Sequence, residues 1–298
     1  MANLRDIRNR ISSVNNTQQI TKAMKMVAAA KLRKAQDRMN ETRPYASKIA
    51  EVAGRLAEYS SSSNPVMRKP ETVKNVLFIV IGSDRGLCGG FNNNLFKEVE
   101  KQLNENFQQY LENEALSIVA IGKKANAYFK KRKYDVIEGF PGFFDDILYD
   151  STSSIMEKAT SQFIGGQFDE VYIAFNEFKS VIAQTRKVQK VLPIDTANLK
   201  NDDSDNASEQ AIDYLYEPNS QAILERLLPL YLNMQLWRAV LESNASEQGA
   251  RMTAMDSATE NAKDLEKELR LKYNQARQSA ITTEISEIVS GAQALSEN

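Results

Sequence analysis

The segment GSDRGLCGGFN, residues 82–92, places glycines, a carboxylate and a guanidinium in one short stretch. It follows an apolar run and precedes a helical pattern, which is where glycine-rich loops hold phosphate on a helix N-terminus. Its spacing fits neither the dinucleotide fingerprint nor the P-loop. Asp84 and Arg85 could act as a catalytic carboxylate and its clamp, but no neighbouring residue completes an acid–base pair. The pattern favours a strained structural turn or a protein contact over phosphate binding and catalysis.

The composition excludes several kinds of catalytic and metal site. Histidine is absent from the 298 residues and Cys88 is the only cysteine, which excludes Ser-His-Asp and Cys-His pairs, histidine zinc sites and internal disulfides. A reducing compartment fits this cysteine content best. The charges nearly balance, with 38 Lys plus Arg against 39 Asp plus Glu, so the whole chain has no net attraction to a polyanion or an anionic membrane.

Local features exclude two further classes of partner. The basic run KLRK, residues 31–34, is the kind of cluster that contacts nucleic acid. No aromatic residue interleaves with it, so we expect no nucleic-acid partner. The longest apolar run, Val76 to Ile81, is far shorter than the roughly 20 residues that span a bilayer. The opening MANLRDIRNRISSV lacks the apolar core of a secretory signal, and we expect no direct membrane insertion.

The N-terminal part of the sequence predicts one long helix, about residues 4–58. Residues 1–43 contain neither Gly nor Pro, and the stripe continues past Pro44 to the sequence SSSSNP at 60–65. Apolar residues recur at intervals of three and four, close to a coiled-coil seam: Leu4, Ile7, Ile11, Val14, Met24, Ala28, Leu32, Ala35 and Met39. We also interpret Met26, Met252 and Met255 as seam residues.

The central part of the sequence predicts a Rossmann-like α/β domain. Short β-branched or aromatic runs at 75–82, 116–122, 135–140, 169–178 and 188–194 alternate with helical patterns at 92–112, 123–132 and 151–164. Such alternation is typical of a mainly parallel sheet covered by helices. The link after Phe178 is too short for a crossover helix, so we expect an antiparallel strand near 181–194. The polar segment 198–210 predicts a loop.

The C-terminal part of the sequence predicts a second long helix, about residues 220–290, that pairs antiparallel with the first. Residues 1–40 carry nine Lys or Arg and two Asp or Glu, whereas 241–298 carry six and ten, so the two helices attract each other. Equal rise places residue 4 opposite about 274. Residues 276–298 then have no partner within the chain.

Together these patterns predict an α/β protein: a long antiparallel coiled coil of N- and C-terminal helices plus a central Rossmann-like α/β domain. The predicted domains are an N-terminal shaft helix at 1–60, a central foot domain at 70–212 and a C-terminal shaft helix at 213–298. The sequence LYEP, residues 215–218, lies at the junction into the last helix. Its proline could simply start a helix, or its aromatic residues could form a docking point; composition leaves both interpretations open.

Five blocks of the sequence resemble one family. The stretch ITTEISEIVSGAQAL resembles the C-terminal signature of the F-type ATP synthase gamma-subunit family. The blocks from Arg10 to Gln36 and from Ser246 to Ala262 also resemble it, as do SDRGLCGGFN and LYEP. The signature positions are Ile281, Thr282, Glu284, Glu287, Gly291 and Ala292. The resemblance covers essentially the entire chain.

This resemblance implies a non-catalytic rotor shaft, for which we expect no catalytic residue, no cofactor and no metal site. Such a subunit stands inside a ring of α and β subunits, and its foot rests on the membrane c-ring beside the epsilon subunit. The implied function is to couple proton flow through the c-ring to ATP synthesis or hydrolysis at the β-subunit catalytic sites. The implied location is peripheral, at the cytoplasmic face of a bacterial plasma membrane.

The resemblance also implies roles for particular residues. Arg277 and Gln278 are expected to meet a β-subunit loop, with Arg251, Thr282 and Glu284 supporting contact and coupling. Met24 is expected near the β-subunit levers. The residues expected to face the c-ring are Tyr214, Tyr216 and Glu217.

Two other functions fit the residue patterns. An α/β enzyme dimerised by its long helices predicts a ligand pocket at residues 82–92 and turnover by the isolated chain. A coiled-coil scaffold predicts stable binding without nucleotide-dependent states. Co-purification with α and β subunits, with ATPase activity that depends on this chain, distinguishes the rotor from both.

Overall fold

The computed structural model describes residues 4–59, 64–195, 217 and 219–296. The chain divides into two compact units: the first combines Met1–Ala28 with Met252–Asn298, and the second is Ala29–Arg251. The predicted loop at 198–210 lies outside the described residues. The division into shaft helices and a foot domain stays a prediction.

The two long helices are confirmed. Helix α1 is Leu4–Tyr59, and the C-terminal helix, numbered α6 below, is Ser220–Ser296. Each contains one proline, Pro44 in α1 and Pro229 in α6. A proline has no N–H to donate, so each helix lacks one backbone hydrogen bond at that point.

The second unit contains a five-stranded sheet. Its strands are β1 (Val76–Ile81), β2 (Leu116–Ile121), β3 (Asp135–Phe140), β4 (Glu170–Phe178) and β5 (Gln184–Leu192). The order is β3-β2-β1-β4-β5; the first four strands are parallel and β5 is antiparallel to β4. The predicted antiparallel strand is therefore confirmed.

Helices cover both faces of this sheet. They are α2 (Phe91–Asn106), α3 (Gln108–Glu112), α4 (Lys123–Lys131) and α5 (Tyr149–Ile164), and a short 3-10 turn lies at Pro65–Met67. The prediction of one helix over 92–112 is wrong in one respect, because the helix breaks at Phe107, whose φ is −127°. The ring of Phe107 packs edge-on against Phe78 with centroids 5.2 Å apart. Burial of that ring in the core accompanies the break.

Strand β1 explains the two-sided core. All six of its residues are apolar and buried, as expected for a parallel strand covered on both faces. Leu77, Ile79 and Ile81 belong to the cluster shared with α1, α5 and α6. Val76, Phe78 and Val80 face the cluster of α2 and α4.

In the first unit the helices pair antiparallel. Arg8 donates to the Tyr273 hydroxyl at 2.9 Å, and Lys25 pairs with Asp256 at 2.5 Å. The predicted register is slightly wrong, because equal rise from residues 4 and 274 places Arg8 opposite residue 270 and not Tyr273.

The methionine prediction holds in part. Met255 is buried, and Met24 and Met252 are half-buried. The interpretation of Met26 as a seam residue is wrong, since 62% of it is exposed. Residues two apart on a helix point about 200° apart, so Met24 and Met26 cannot both face the partner helix.

Candidate functional site

Asp84 is a structural carboxylate that fixes the glycine-rich loop at 82–92. Its Oδ1 accepts the backbone N–H groups of Lys123 and Gly142, both at 2.8 Å. Its Oδ2 accepts that of Phe144 at 2.7 Å. The three donors lie at the start of α4 and in the turn after β3. A carboxylate that joins them is occupied by structure, which explains why a charged residue stands here without an acid–base partner.

The remainder of the loop closes on itself. Asn92 accepts the Ser83 N–H at 3.0 Å and donates to the Ser83 hydroxyl at 2.7 Å and to the Cys88 sulfur at 3.3 Å. Leu87 adopts a φ of +62°, a left-handed conformation that a leucine rarely adopts. Leu87 is exposed, whereas Cys88 is buried. These features agree with the favoured prediction of a strained structural turn.

A cleft of about 430 Å³ opens beside this loop. Its lining includes Lys124, Tyr128 and Arg132 but no carboxylate. The Arg132 guanidinium lies over the Tyr128 ring, 3.7 Å from its centroid, and its Nε pairs with Glu100 at 2.9 Å. Since the lining offers neither a carboxylate nor a histidine as general base, the cleft gives little support to the enzyme alternative.

Arg251 fastens α6 to this loop within the second unit. Only 9% of Arg251 is exposed. Its Nη2 donates to the backbone carbonyls of Arg85 and Gly86, both at 3.3 Å, and to Glu247 Oε1 at 2.5 Å. Its Nη1 donates to Gln248 Oε1 at 3.0 Å. Arg251 was predicted as a coupling residue, and within this unit it joins α6 to the 82–92 loop.

The environment of this cluster raises the pKa of two side chains, Glu247 and Cys88. Burial raises the pKa of the Glu247 carboxyl above its usual value, and the nearby Arg251 opposes that rise only in part. Burial, followed by the charge of Glu247, also raises the pKa of the Cys88 thiol. Glu247 Oε2 is buried and has no hydrogen-bond partner. Cys88 is therefore a thiol of low reactivity in the closed loop.

The remaining signature residues lie on α6 in the first unit. Every residue from 277 to 292 is exposed, and we call this range the exposed segment. It brings Arg277, Gln278, Thr282 and Glu284 onto one piece of helix, where the Thr282 hydroxyl donates to the Gln278 carbonyl at 2.9 Å. A Cβ added to Gly291 would meet nothing within 4 Å.

Apolar side chains are exposed along this segment. Between 47% and 70% of each is exposed: Ile281, Ile285, Ile288 and Val289. An apolar stripe that the described part of the chain leaves uncovered is a typical protein-contact surface.

The other predicted site residues divide into described and undescribed positions. Met24 is half-buried in the first unit, and Glu217 is exposed. Tyr214 and Tyr216 lie outside the described residues. Sequence reasoning missed Asp84 as a structural residue and Glu247 as the partner of Arg251. The pairing of Glu247 with Arg251 could have been found from their spacing, because residues four apart in a helix lie on the same face.

No helix in the described ranges has the length and hydropathy required to cross a bilayer. The fold, a five-stranded α/β sheet with long N- and C-terminal helices, is shared with chains of solved ATP synthase structures. The chain resembles a chain in the central stalk and c-ring structure of Tetrahymena thermophila mitochondrial ATP synthase, with a TM-score of 0.58 and 27% identity over 80% of this chain and 99% of that one. It also has the fold of a chain in the OSCP/F1/c-ring structure of Euglena gracilis mitochondrial ATP synthase, with a TM-score of 0.68 and 20% identity over 98% of this chain and 94% of that one.

The sequence comparisons identify the family. The family model described as ATP synthase matches residues 3–295. The ATP synthase gamma chain of Chloroherpeton thalassium is 46% identical and covers 100% of both chains, and that of Chlorobium phaeobacteroides is 47% identical over 99% of each. The chain belongs to the ATP synthase gamma chain family.

Proposed function

We propose that this chain is the central rotor shaft of an F-type ATP synthase. It couples proton flow through the membrane c-ring to ATP synthesis or hydrolysis at the catalytic sites of the β subunits, and it performs no chemistry itself. The observation that carries the proposal is the exposed segment, residues 277–292, in a chain of this family. An exposed helix with an apolar stripe needs a surrounding partner, and a ring of α and β subunits supplies one.

The composition of the exposed segment suits rotation. Its apolar residues are separated by Ser, Thr, Gly and Ala, which offer few large projections for interlocking with a sleeve. A pair of helices also lacks three-fold symmetry, so it contacts each of three identical subunits differently at any moment. Differential contact is what shifts a conformational equilibrium. The shaft can therefore bias each catalytic site in turn while it remains free to rotate.

The proposal assigns contacts to the predicted residues. Arg277 and Gln278 bind a β-subunit loop, since both are exposed on α6. Thr282 and Glu284 support that contact one turn further on, and Met24 lies near the β-subunit levers. The c-ring contact comprises Tyr214, Tyr216 and Glu217.

The proposal also assigns the remaining partners and the location. The domain at 70–212 is the foot, and the epsilon subunit binds beside it. The complex is peripheral to the cytoplasmic face of a bacterial plasma membrane. The shaft helices at 1–60 and 213–298 carry torque between the foot and the catalytic ring.

The test reconstitutes the synthase with Arg277→Ala/Gln278→Ala in place of the native chain. Loss of a charge-assisted contact of about 1 kcal/mol lowers a coupled equilibrium about fivefold. We expect ATP-driven proton pumping per ATP hydrolysed, or the yield of assembled complex, to fall by roughly that factor. Pumping is measured by dye quenching in membrane vesicles, and assembly by co-purification with α and β subunits.

The matched control is Lys263→Ala/Lys267→Ala on the same helix. Both lysines pair within α6, with Glu260 at 3.5 Å and with Asp264 at 3.1 Å, so we expect pumping near the native level. Native pumping and assembly in the Arg277/Gln278 variant would reject the contact assignment. Substrate turnover by the purified chain alone, or an α/β ATPase that does not depend on this chain, would reject the rotor function.

A further inference from the structure

We propose that Glu247 and Arg251 form a clamp that makes the conformation of the 82–92 loop depend on helix α6, with Glu247 as the positioning residue. Arg251 contacts the loop directly, through the carbonyls of Arg85 and Gly86. Glu247 contacts Arg251 and not those carbonyls. Its proposed role is to aim the guanidinium.

The clamp contacts the middle of the loop, where the Arg85 carbonyl also accepts from the Ser83 hydroxyl at 2.8 Å. Asp84 anchors the start of the loop to the neighbouring backbone. At the other end, Asn176 donates to the Phe91 carbonyl at 3.4 Å. Between these anchors, Leu87 is held at a φ of +62°, a strained conformation that persists only when the surroundings enforce it. The guanidinium donates to the two carbonyls immediately before Leu87, so it is placed to enforce that turn.

The charges around the pair make it a single unit. Glu247 is 3% exposed and Arg251 9%. The other charged groups that act on Glu247 are Asp84 from the loop and Lys31 from α1. Removing one member of a buried pair leaves the other uncompensated. Loss of Glu247 should therefore release Arg251 from the loop, although Glu247 does not touch the loop carbonyls.

The consequence for the rotor rests on the proposed function. Leu87, 65% exposed, is the apolar residue that this loop offers to a partner. A clamp between the loop and α6 makes the position of Leu87 depend on the helix that carries the exposed segment. Strain in α6 can then alter the loop, and a partner on the loop can alter α6.

Cys88 provides a reporter inside the loop. It is the only cysteine in the chain and it is 2% exposed, so a maleimide reaches it only when the loop opens. The alkylation rate of the purified full chain is measured against pH. The plateau at high pH reports how often the loop opens, and the midpoint reports the pKa of the thiol.

The clamp predicts different results for two variants. In Arg251→Gln we expect the plateau rate to rise about tenfold, because a charge-assisted hydrogen bond to the loop is lost. In Glu247→Gln we expect a similar rise in the plateau together with a lower midpoint, since the negative charge that raises the pKa of Cys88 is also removed. The double variant should open no more than either single variant, because the two residues act as one unit.

The controls are two single variants, Arg270→Gln and Glu266→Gln. These residues form a Glu–Arg pair of the same i,i+4 spacing on the same helix, at 2.8 Å, with the arginine side chain 62% exposed. We expect the alkylation profile of each control variant to match that of the native chain. Circular dichroism checks that each variant is folded, and Arg251→Lys, which keeps the charge but not the fork of donors, should give an intermediate plateau.

Three outcomes would overturn the clamp. A plateau within twofold of native for folded Arg251→Gln and Arg251→Lys would show that Arg251 does not hold the loop. A lower midpoint without a higher plateau in Glu247→Gln would show that Glu247 raises the pKa of Cys88 but does not position Arg251. Multiplicative effects in the double variant would show two independent residues. Since the isolated chain is used, none of these results depends on whether the rotor function is correct.

Discussion

Removal of the Asp84 carboxylate should destabilise the α/β domain far more than removal of a neighbouring surface carboxylate. Asp84 accepts three backbone N–H groups at 2.7–2.8 Å. In Asp84→Ala all three donors lose their acceptor. In Asp84→Asn a single carbonyl oxygen can still take the place of Oδ1, which serves two of the donors, but the amide cannot accept from Phe144.

The expected magnitude follows from these contacts. A hydrogen bond to a charged acceptor contributes about 1.5–3 kcal/mol, and partial exposure reduces this to about 1 kcal/mol per bond. We expect the free energy of unfolding to fall by about 3 kcal/mol in Asp84→Ala and by about 1 to 2 kcal/mol in Asp84→Asn. With a denaturant slope of about 3 kcal/mol/M, the alanine variant shifts the urea midpoint by about 1 M.

The assay is equilibrium urea unfolding of the purified chain, followed by circular dichroism and by the fluorescence of Trp237. Trp237 packs with Tyr149 in the second unit, so its fluorescence follows that unit. The control is Asp145→Ala, since Asp145 pairs with Arg85 at 3.3 Å but both side chains are more than half exposed, 67% and 72%. Such a pair contributes at most about 1 kcal/mol. An Asp84→Ala shift no larger than that of Asp145→Ala would refute the structural role.

Two further predictions concern pH and the exposed segment. Burial raises the pKa of Glu247 in the folded state, so the folded state keeps a proton that the unfolded state has released. The stability that this proton contributes is complete below the ordinary pKa of 4.5. It is lost as the pH rises through the folded pKa. Urea unfolding at a series of pH values should show native stability falling relative to Glu247→Gln over that window, and a constant difference would contradict the assignment. Ile288→Ala, at a residue 70% exposed, should change the unfolding free energy of the isolated chain by less than about 0.5 kcal/mol. Leu236→Ala, at a fully buried residue, should cost about 2–5 kcal/mol, and equal effects in the same urea assay would mean that the exposed segment is covered within the isolated chain.

The periodic elements were predictable because their causes lie close together in the sequence. The spacing of three and four predicted α1 over 4–58, and the structure has Leu4–Tyr59. The run from Val76 to Ile81 predicted a buried strand because both faces of a parallel sheet require apolar residues. The break at Phe107 was not predicted, because it depends on Phe78, a ring from another element.

Helix rise predicted that the segment after residue 276 has no partner within the chain, and residues 277–292 are exposed, whereas the contacts of single site residues were not predictable. The pattern of residues 82–92 favoured a strained turn, but the role of Asp84 depends on Lys123, Gly142 and Phe144, which are distant in sequence. Glu247 was missed for a different reason. The coiled-coil pattern is recognised from the spacing of apolar residues. It therefore does not predict a buried carboxylate whose partner lies one helical turn away.

The prolines of the two long helices have a mechanical consequence. Pro44 and Pro229 each remove one rung from a backbone hydrogen-bond ladder, and both belong to the second unit. In the first unit, residues 4–28 and 252–296 contain no proline, so those ladders are uninterrupted by one. A helix twists more easily where a rung is missing. Both missing rungs lie in the unit where core packing, through residues such as Ile49 and Leu228, holds the two helices, so that packing opposes the extra twist which each proline allows.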